Sequence, residues 1–235
     1  MTGALIAAGA AIATSGAFAY GAFHPNSPLF GRVISRGSRR SRDLYLTFDD
    51  GPSPAATERI LEVLDLHHVP AAFFLVGDHV TRHPELARLI GSTSHEVGNH
   101  TMHHHKLHFK GPHFIQRELH LAHELIAGAT GRSPRVFRAP HGFRNPFVRS
   151  AVHQLNYTVF GWTFGVWDSD RPGTDKIRLR TRAKLKPGAI ILLHDGDGSD
   201  PHGDRSQTAQ ALPGIIADAH EAGYSFKSVS ALLLL

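Results

Sequence analysis

Cysteine is missing from all 235 residues, which excludes disulfides, thiolate metal ligands and a cysteine nucleophile. Any metal site in this chain therefore rests on histidine and carboxylate. Charge is missing from residues 1–23, a stretch built mainly of Ala, Gly, Ile, Leu and Phe. Roughly 20 apolar residues suffice to cross the hydrocarbon core of a membrane. No Lys or Arg precedes Ala4, so the basic start of an ordinary signal peptide is absent, yet Ala17-Phe18-Ala19 has the small-residue pattern of a cleavage site. Three readings stay open for 1–23: an uncleaved membrane anchor, a signal peptide, or a buried soluble helix. Arginine runs interleaved with aromatics are also lacking, which argues against nucleic acid as a partner.

What is abundant is histidine, with 19 residues, in a chain of formal net charge +5. The neutral imidazole is the commonest metal ligand in proteins. The positive balance favours anionic surroundings such as cell-wall polymers or membrane headgroups. Arg32, Arg36, Arg39, Arg40 and Arg42 follow the apolar segment. On the positive-inside rule they pull that flank toward the cytoplasm, which conflicts with an extracytoplasmic enzyme and leaves orientation open.

Residues 24–42, rich in Pro, Ser, Gly and Arg, read as a linker, and a folded domain is expected over 43–235. Leu44, Leu46 and Phe48 alternate with Tyr45 and Thr47, a strand stopped by Gly51-Pro52. Apolar residues Ile60, Leu61 and Leu64 predict a helix over Thr57 to His67. The same reasoning predicts strands at Ala71–Val76, near Val136, at Thr158–Trp162 and at Ala189–Leu193. Helices are expected at Pro84–Ile90, Phe114–Ala127, Pro146–Gln154, Ile177–Leu185 and Leu212–Glu221. Alternating strands and helices imply an α/β fold with parallel pairing through right-handed crossovers, as a barrel or an open sheet. The closing Leu232–Leu235 run is too short to span a membrane and is expected to pack on the domain.

Four short motifs carry chemistry. Asp49 and Asp50 stand where the first strand ends, the side on which α/β folds gather active residues. Two adjacent ionised carboxylates need a cation or a basic partner, although Asp-Asp-Gly-Pro also suits an ordinary turn. His100 and His104 are four apart, and on a helical turn both rings would project from one face. With one carboxylate they make a two-His, one-carboxylate set that leaves positions open on a catalytic metal. His103 and His105 compete for that role, and the His103-His104-His105 run equally fits an exposed loop. Arg138, in Arg138-Ala139-Pro140-His141-Gly142, is a candidate partner for one aspartate, since its planar fork matches a carboxylate. His194 ends the apolar run Ile190-Ile191-Leu192-Leu193 and is placed for proton transfer, although a lone histidine there is often only a hydrogen-bonding residue.

In their order along the chain, Thr47-Phe48-Asp49-Asp50-Gly51-Pro52, Asn99-His100-Thr101-Met102-His103-His104, Arg138-Ala139-Pro140-His141-Gly142 and Leu192-Leu193-His194-Asp195 resemble four of the five signature motifs of the NodB-homology polysaccharide deacetylases, carbohydrate esterase family 4. The resemblance spans roughly Asp43 to Leu235. It implies a distorted (β/α)7 barrel and a divalent metal, usually zinc with cobalt or another ion in relatives, held by Asp50, His100 and His104. It further implies Asp49 as general base, Arg138 orienting it, His194 as general acid, and the His141 backbone N–H at the oxyanion. The substrate class implied is an acetylated glycan.

Departures from the family pattern are His105 where proline is usual, His141 where tyrosine is usual, and a blurred fourth motif around Trp162, Gly165, Trp167, Asp168 and Ser169. There Asp168 is the candidate for tuning a catalytic histidine. Pro140, His141, Trp162 and Trp167 are candidates for the sugar groove, with a core role equally open to the tryptophans. A small-amide amidase or deformylase of the same superfamily is a rival function. So is a non-catalytic metal- or carbohydrate-binding protein, which would need neither Asp49 nor His194.

Overall fold

The computed structural model describes residues 15–200 and 202–233. Its centre is one parallel sheet. Strand β1 (Asp43–Asp49) is flanked by β2 (Ala71–Leu75) and β7 (Ile190–His194). Beyond β2 lie β3 (Glu96–Asn99), β4 (Val136–Phe137) and β5 (Thr158–Val159); beyond β7 lies β6 (Phe164–Gly165), giving the order β5-β4-β3-β2-β1-β7-β6. A short β8 (Ser225–Phe226) pairs with the start of β1. Every named pair is parallel, and the sheet curls into the distorted barrel of the α/β class.

The central strands are apolar on both faces because helices cover the outside while side chains fill the inside. All five residues of β2 are buried, as are the last six of β1. The outer layer comprises α1 (Thr57–Leu66), α2 (Gly77–Arg82), α3 (Pro84–Gly91), α4 (Pro112–Thr130), α5 (Pro146–Gln154), α6 (Thr174–Lys184) and α7 (Ser206–Glu221). In α1 the buried residues are Thr57, Ile60, Leu61 and Leu64, the inward stripe of an amphipathic helix.

Several expectations need adjusting. Helix α7 begins at Ser206 rather than Leu212, with Pro213 inside it. The strand expected over Thr158–Trp162 stops at Val159. From there the chain crosses the gap between the sheet's two ends: the Phe160 N–H reaches the Phe137 carbonyl on the β4 side, and the Thr163 N–H reaches the Ile190 carbonyl of β7. Strand β3 had no apolar signature because it reads Glu-Val-Gly-Asn. Gly98 is required there, since a β-carbon would sit 2.5 Å from the Phe74 ring.

Residues 24–42, read as a linker, are held against the barrel. Ile34 bridges Phe160 in parallel and Arg36 bridges Ala189 antiparallel, so the segment runs along the open side. The Asn26 side-chain amide donates to the Trp162 carbonyl (2.8 Å), and the Thr163 hydroxyl donates to the Ser35 carbonyl (2.6 Å). Its Pro, Gly and Ser serve as turns between these anchoring points.

Of the apolar segment 1–23, residues 1–14 lie outside the described residues, and 15–23 are helical. Among the described residues no helix is long and apolar enough to cross a membrane. Leu232 and Leu233 pack on a core cluster with Phe74, Val136 and Ile190, as expected for the C-terminal leucines; Leu234 and Leu235 lie outside the described residues.

Candidate metal centre and active site

Strand register brings the site together. Asp49, the last residue of β1, is the lateral neighbour of His194, the last of β7. Immediately after β1 the chain turns sharply: Asp50 takes a left-handed conformation (φ 73°) and its carbonyl meets His79 Nδ1 at 2.7 Å. The two aspartates thereby face different partners.

Asp49 Oδ1 accepts a hydrogen bond from Arg138 Nη1 at 2.6 Å. Arg138 is fully buried, and Nη1 also donates to the Thr47 hydroxyl while Nη2 donates to the Gly161 carbonyl, both at 2.8 Å. Its guanidinium lies 4.2 Å from the Phe74 ring centroid. Burial lowers the Arg138 pKa against the opposing pull of Asp49, but a guanidinium remains charged in proteins. Asp49 Oδ2 is left facing the cavity side, 3.7 Å from His100 Nε2.

Asp50 Oδ1 stands 3.3 Å from His100 Nε2 and 3.1 Å from His104 Nε2. His100 Nδ1 lies 2.7 Å from the Arg138 carbonyl, which can only accept, so that nitrogen carries the proton. The Nε2 lone pair of His100 thus points at a carboxylate oxygen that is itself buried without a hydrogen-bond partner. The His100 Nε2 lone pair and this oxygen are two acceptors facing each other, an arrangement that a cation would satisfy. Burial alone would raise the Asp50 pKa, yet the His104 and His100 imidazoles hold it well below the usual carboxylate range. Ligand atoms of Asp50, His100 and His104 all fall within 4.8 Å of one another. One carboxylate with two imidazoles suits zinc and neighbouring divalent ions, so the residues present fit a metal.

The pair of histidines is not helical. His100 directly follows β3, and left-handed Thr101 (φ 69°) and His104 (φ 55°) fold the loop back so that both rings meet at Asp50. The helical turn expected from the four-residue spacing is therefore replaced by a strained loop. Among the described residues, five of the eight non-glycine left-handed residues, namely Asp50, Thr101, His104, His141 and Trp167, belong to this site, where backbone strain persists only because the surroundings enforce it.

His103 and His105 point elsewhere. His103 Nδ1 meets Glu118 Oε1 at 2.7 Å, and the two histidine rings lie beside each other.

Across the cavity, His194 Nδ1 lies 2.9 Å from Asp168 Oδ1, and the His194 backbone N–H donates to Asp168 Oδ2 at 2.8 Å. Asp168 also accepts from the Thr208 hydroxyl at 2.9 Å. Burial would depress the His194 pKa, but the Asp168 carboxylate overrides it and carries the value up to about 9.

A cavity of about 610 Å³ joins Asp49, Asp50, His100, His104 and His194 with His141, Phe143, Trp162, Trp167 and Leu192. Trp167 is 66% exposed at its rim, whereas Trp162 is half-buried and packs against a core cluster. Pro140 is buried in the turn Pro140–Gly142 and is not part of the cavity wall. The bonds of that turn run from the Gly142 N–H to the Ala139 carbonyl and from the Phe143 N–H to the Pro140 carbonyl, leaving the His141 N–H out. The His141 ring lies against His104, and burial lowers its pKa to about 4, so it is neutral.

Sequence reasoning quoted Asp195 in a motif but gave it no role; it is fully buried and accepts from the Thr57 hydroxyl at 2.6 Å. Burial pushes its pKa up to about 7 against that hydrogen bond, with the Asp50 and Asp49 charges adding to the rise. Gly51 is a glycine because a β-carbon there would collide with this carboxyl group. His79, behind Asp50, was also missed; only its closeness to the site marks it.

Residues 36–160 match the family model described as polysaccharide deacetylase. A chitooligosaccharide deacetylase from Rhizobium leguminosarum bv. trifolii is 39% identical over 194 residues, covering 80% of this chain and 90% of that protein. The chain belongs to the polysaccharide deacetylase family. Another relative, a peptidoglycan-N-acetylglucosamine deacetylase from Bacillus cereus, is 33% identical over 195 residues, covering 81% of this chain and 87% of that one. Among solved structures, a carbohydrate esterase family 4 pseudoenzyme from Bacillus anthracis has a TM-score of 0.79 at 30% identity, covering 88% of this polysaccharide deacetylase chain and 69% of the other.

Proposed function

We propose that this chain is a metal-dependent deacetylase that hydrolyses the acetamido group of an aminosugar polymer, in the class of chitin-like oligomers or peptidoglycan. The observation that carries the reading is a single cavity holding both a buried carboxylate–imidazole cluster and two proton-transfer groups. Binding alone would require the first and not the second. The names of the relatives point to the same substrates.

Asp50, His100 and His104 would hold one divalent ion, zinc by donor type. Such an ion supplies Lewis-acid polarisation of the acetyl carbonyl and a lowered pKa for water. Asp49 takes the proton of the attacking water at Oδ2, because Arg138 occupies Oδ1. The N–H of His141, free of the turn's own bonds, donates to the developing oxyanion, a contribution of about 3 kcal/mol for one such donor. His194 is held protonated by Asp168 and gives its proton to the departing sugar nitrogen. Trp167 and Trp162 offer ring faces for sugars.

In this reading residues 43–235 are the catalytic domain, 24–42 brace its open side, and 1–23 either tether it to a membrane or direct its export. The site of action is then extracytoplasmic, where the polymers lie. The test is acetate release from N-acetylglucosamine oligomers, peptidoglycan fragments and acetylated xylan by zinc-loaded protein. Release from an aminosugar substrate is expected. No release from any of them with zinc bound would favour a binding protein.

A further inference from the structure

A second cavity, of about 260 Å³, shares no wall residue with the catalytic one. It is enclosed by Phe30–Arg32, one side of α5, the edge strand β5 and Leu232–Leu233. Its wall contains Arg32, Arg144 and Arg149 and no acidic residue.

Arg144 is the unusual member. It is 1% exposed, and its guanidinium donates to one acceptor, the Ser27 carbonyl, while Nε is buried without a partner. No ion pair reaches it among the described residues, in contrast to Arg138, which is equally buried but paired with Asp49. Burial lowers the Arg144 pKa and nothing offsets it. A buried guanidinium without a counter-charge is costly, and evolution ordinarily supplies a carboxylate or a ligand.

The sequence withholds the carboxylate on a larger scale. Residues 24–42, 125–167 and 222–235, the stretches that supply the whole wall, contain no Asp or Glu. They hold five Arg, five Arg and one Lys respectively, more positive charge than the net +5 of the chain. Most of the remaining wall is apolar, with Phe30, Ile34, Val148, Val152, Val159 and Leu232, and His153, Tyr157 and Thr158 add neutral polar groups.

We propose that this cavity binds an amphipathic anion, a carboxylate or phosphate monoester bearing a short apolar chain, with Arg144 as the buried counter-charge and Arg32 and Arg149 at the mouth. The chemistry is that of a free organic anion or of the head of an anionic lipid. The volume lies just below the usual range for whole ligands, so the cavity admits a short chain or the polar end of a longer one.

The test is calorimetric titration of zinc-loaded protein with octyl phosphate, octanoate, inorganic phosphate and octanol, alongside flotation with vesicles of anionic or neutral phospholipid. Saturable binding of octyl phosphate or octanoate is expected. It should weaken at least tenfold in Arg144→Gln, since charge-assisted hydrogen bonds are worth about 1.5–3 kcal/mol. The exposed double variant Arg32→Gln/Arg149→Gln, which carries little folding risk, should weaken it severalfold. Flotation with anionic vesicles that Arg144→Gln abolishes would identify a lipid head as the source; binding of the soluble probes without flotation would identify a free anion. The proposal fails if octyl phosphate does not bind, if octanol or inorganic phosphate binds equally well, or if binding survives all three substitutions and inhibits turnover competitively, which would locate it in the catalytic cavity.

Discussion

Asp49 and Asp50 are chemically identical neighbours separated by one left-handed backbone angle, and that angle gives them different partners. Arg138 neutralises one and two imidazoles face the other. Asp49→Asn should therefore reduce turnover by about 10²–10⁴ through loss of the base while bound zinc per chain stays near the parent value. Asp50→Asn should lose the metal; metal analysis beside acetate release separates the two, and the reverse pattern would mean the roles are exchanged.

His194 carries a second residue-scale prediction. Its folded pKa of about 9 exceeds the unperturbed value of about 6.5, so the protonated form persists below about 9. The pair with Asp168 adds stability that is complete below the unfolded pKa and fades as pH rises through about 9. In Asp168→Asn burial is opposed only by the Asp50 and Asp49 charges and the imidazolium loses its main support, so the basic limb of kcat/KM against pH should move to lower pH. An unchanged limb would remove His194 from the proton-donor role.

At the scale of elements, what the sequence revealed followed from periodicity. Helix α1 and strands β1, β2 and β7 were legible because Ile60, Leu61 and Leu64 keep a helical stripe and the strands form dense apolar runs. Strand β3 was illegible because its requirement is the absence of a side chain, Gly98 beside Phe74. Gly98→Ala should then cost about 1–3 kcal/mol by overpacking, read as a lower denaturant midpoint; no change would mean that the Phe74 ring moves aside freely.

The fourth motif is blurred in the sequence, and its candidate Asp168 opens a short 3₁₀ turn after left-handed Trp167, Asp168–Asp170, rather than ending a strand. His100 and His104 stand out in the sequence by type and spacing, but the loop that carries them is not the helical turn the spacing suggests, since left-handed Thr101 and His104 leave no periodic trace. The contacts of Asp195 and His79 were illegible because they are set by packing across the barrel.

For the molecule as a whole, charge is divided unevenly: Asp49 and Asp50 line the catalytic cavity, while the three stretches that supply the wall of the second cavity contain no carboxylate. Metal and fold are also linked. An ion that binds only the folded chain stabilises it by about 4 kcal/mol at a thousandfold excess over Kd. Excess zinc should therefore raise the Tm of the chelated protein by roughly 10 °C for a domain of this size, and leave Asp50→Ala unmoved.

The most direct test is a titration of zinc into chelator-stripped protein while acetate release from an N-acetylglucosamine oligomer is followed. One ion gripped by Asp50, His100 and His104 predicts a rate that rises from near zero to a plateau at one zinc per chain. Acetate release that persists in the stripped protein, or that is indifferent to added zinc, would contradict a metal-assisted hydrolysis at this site.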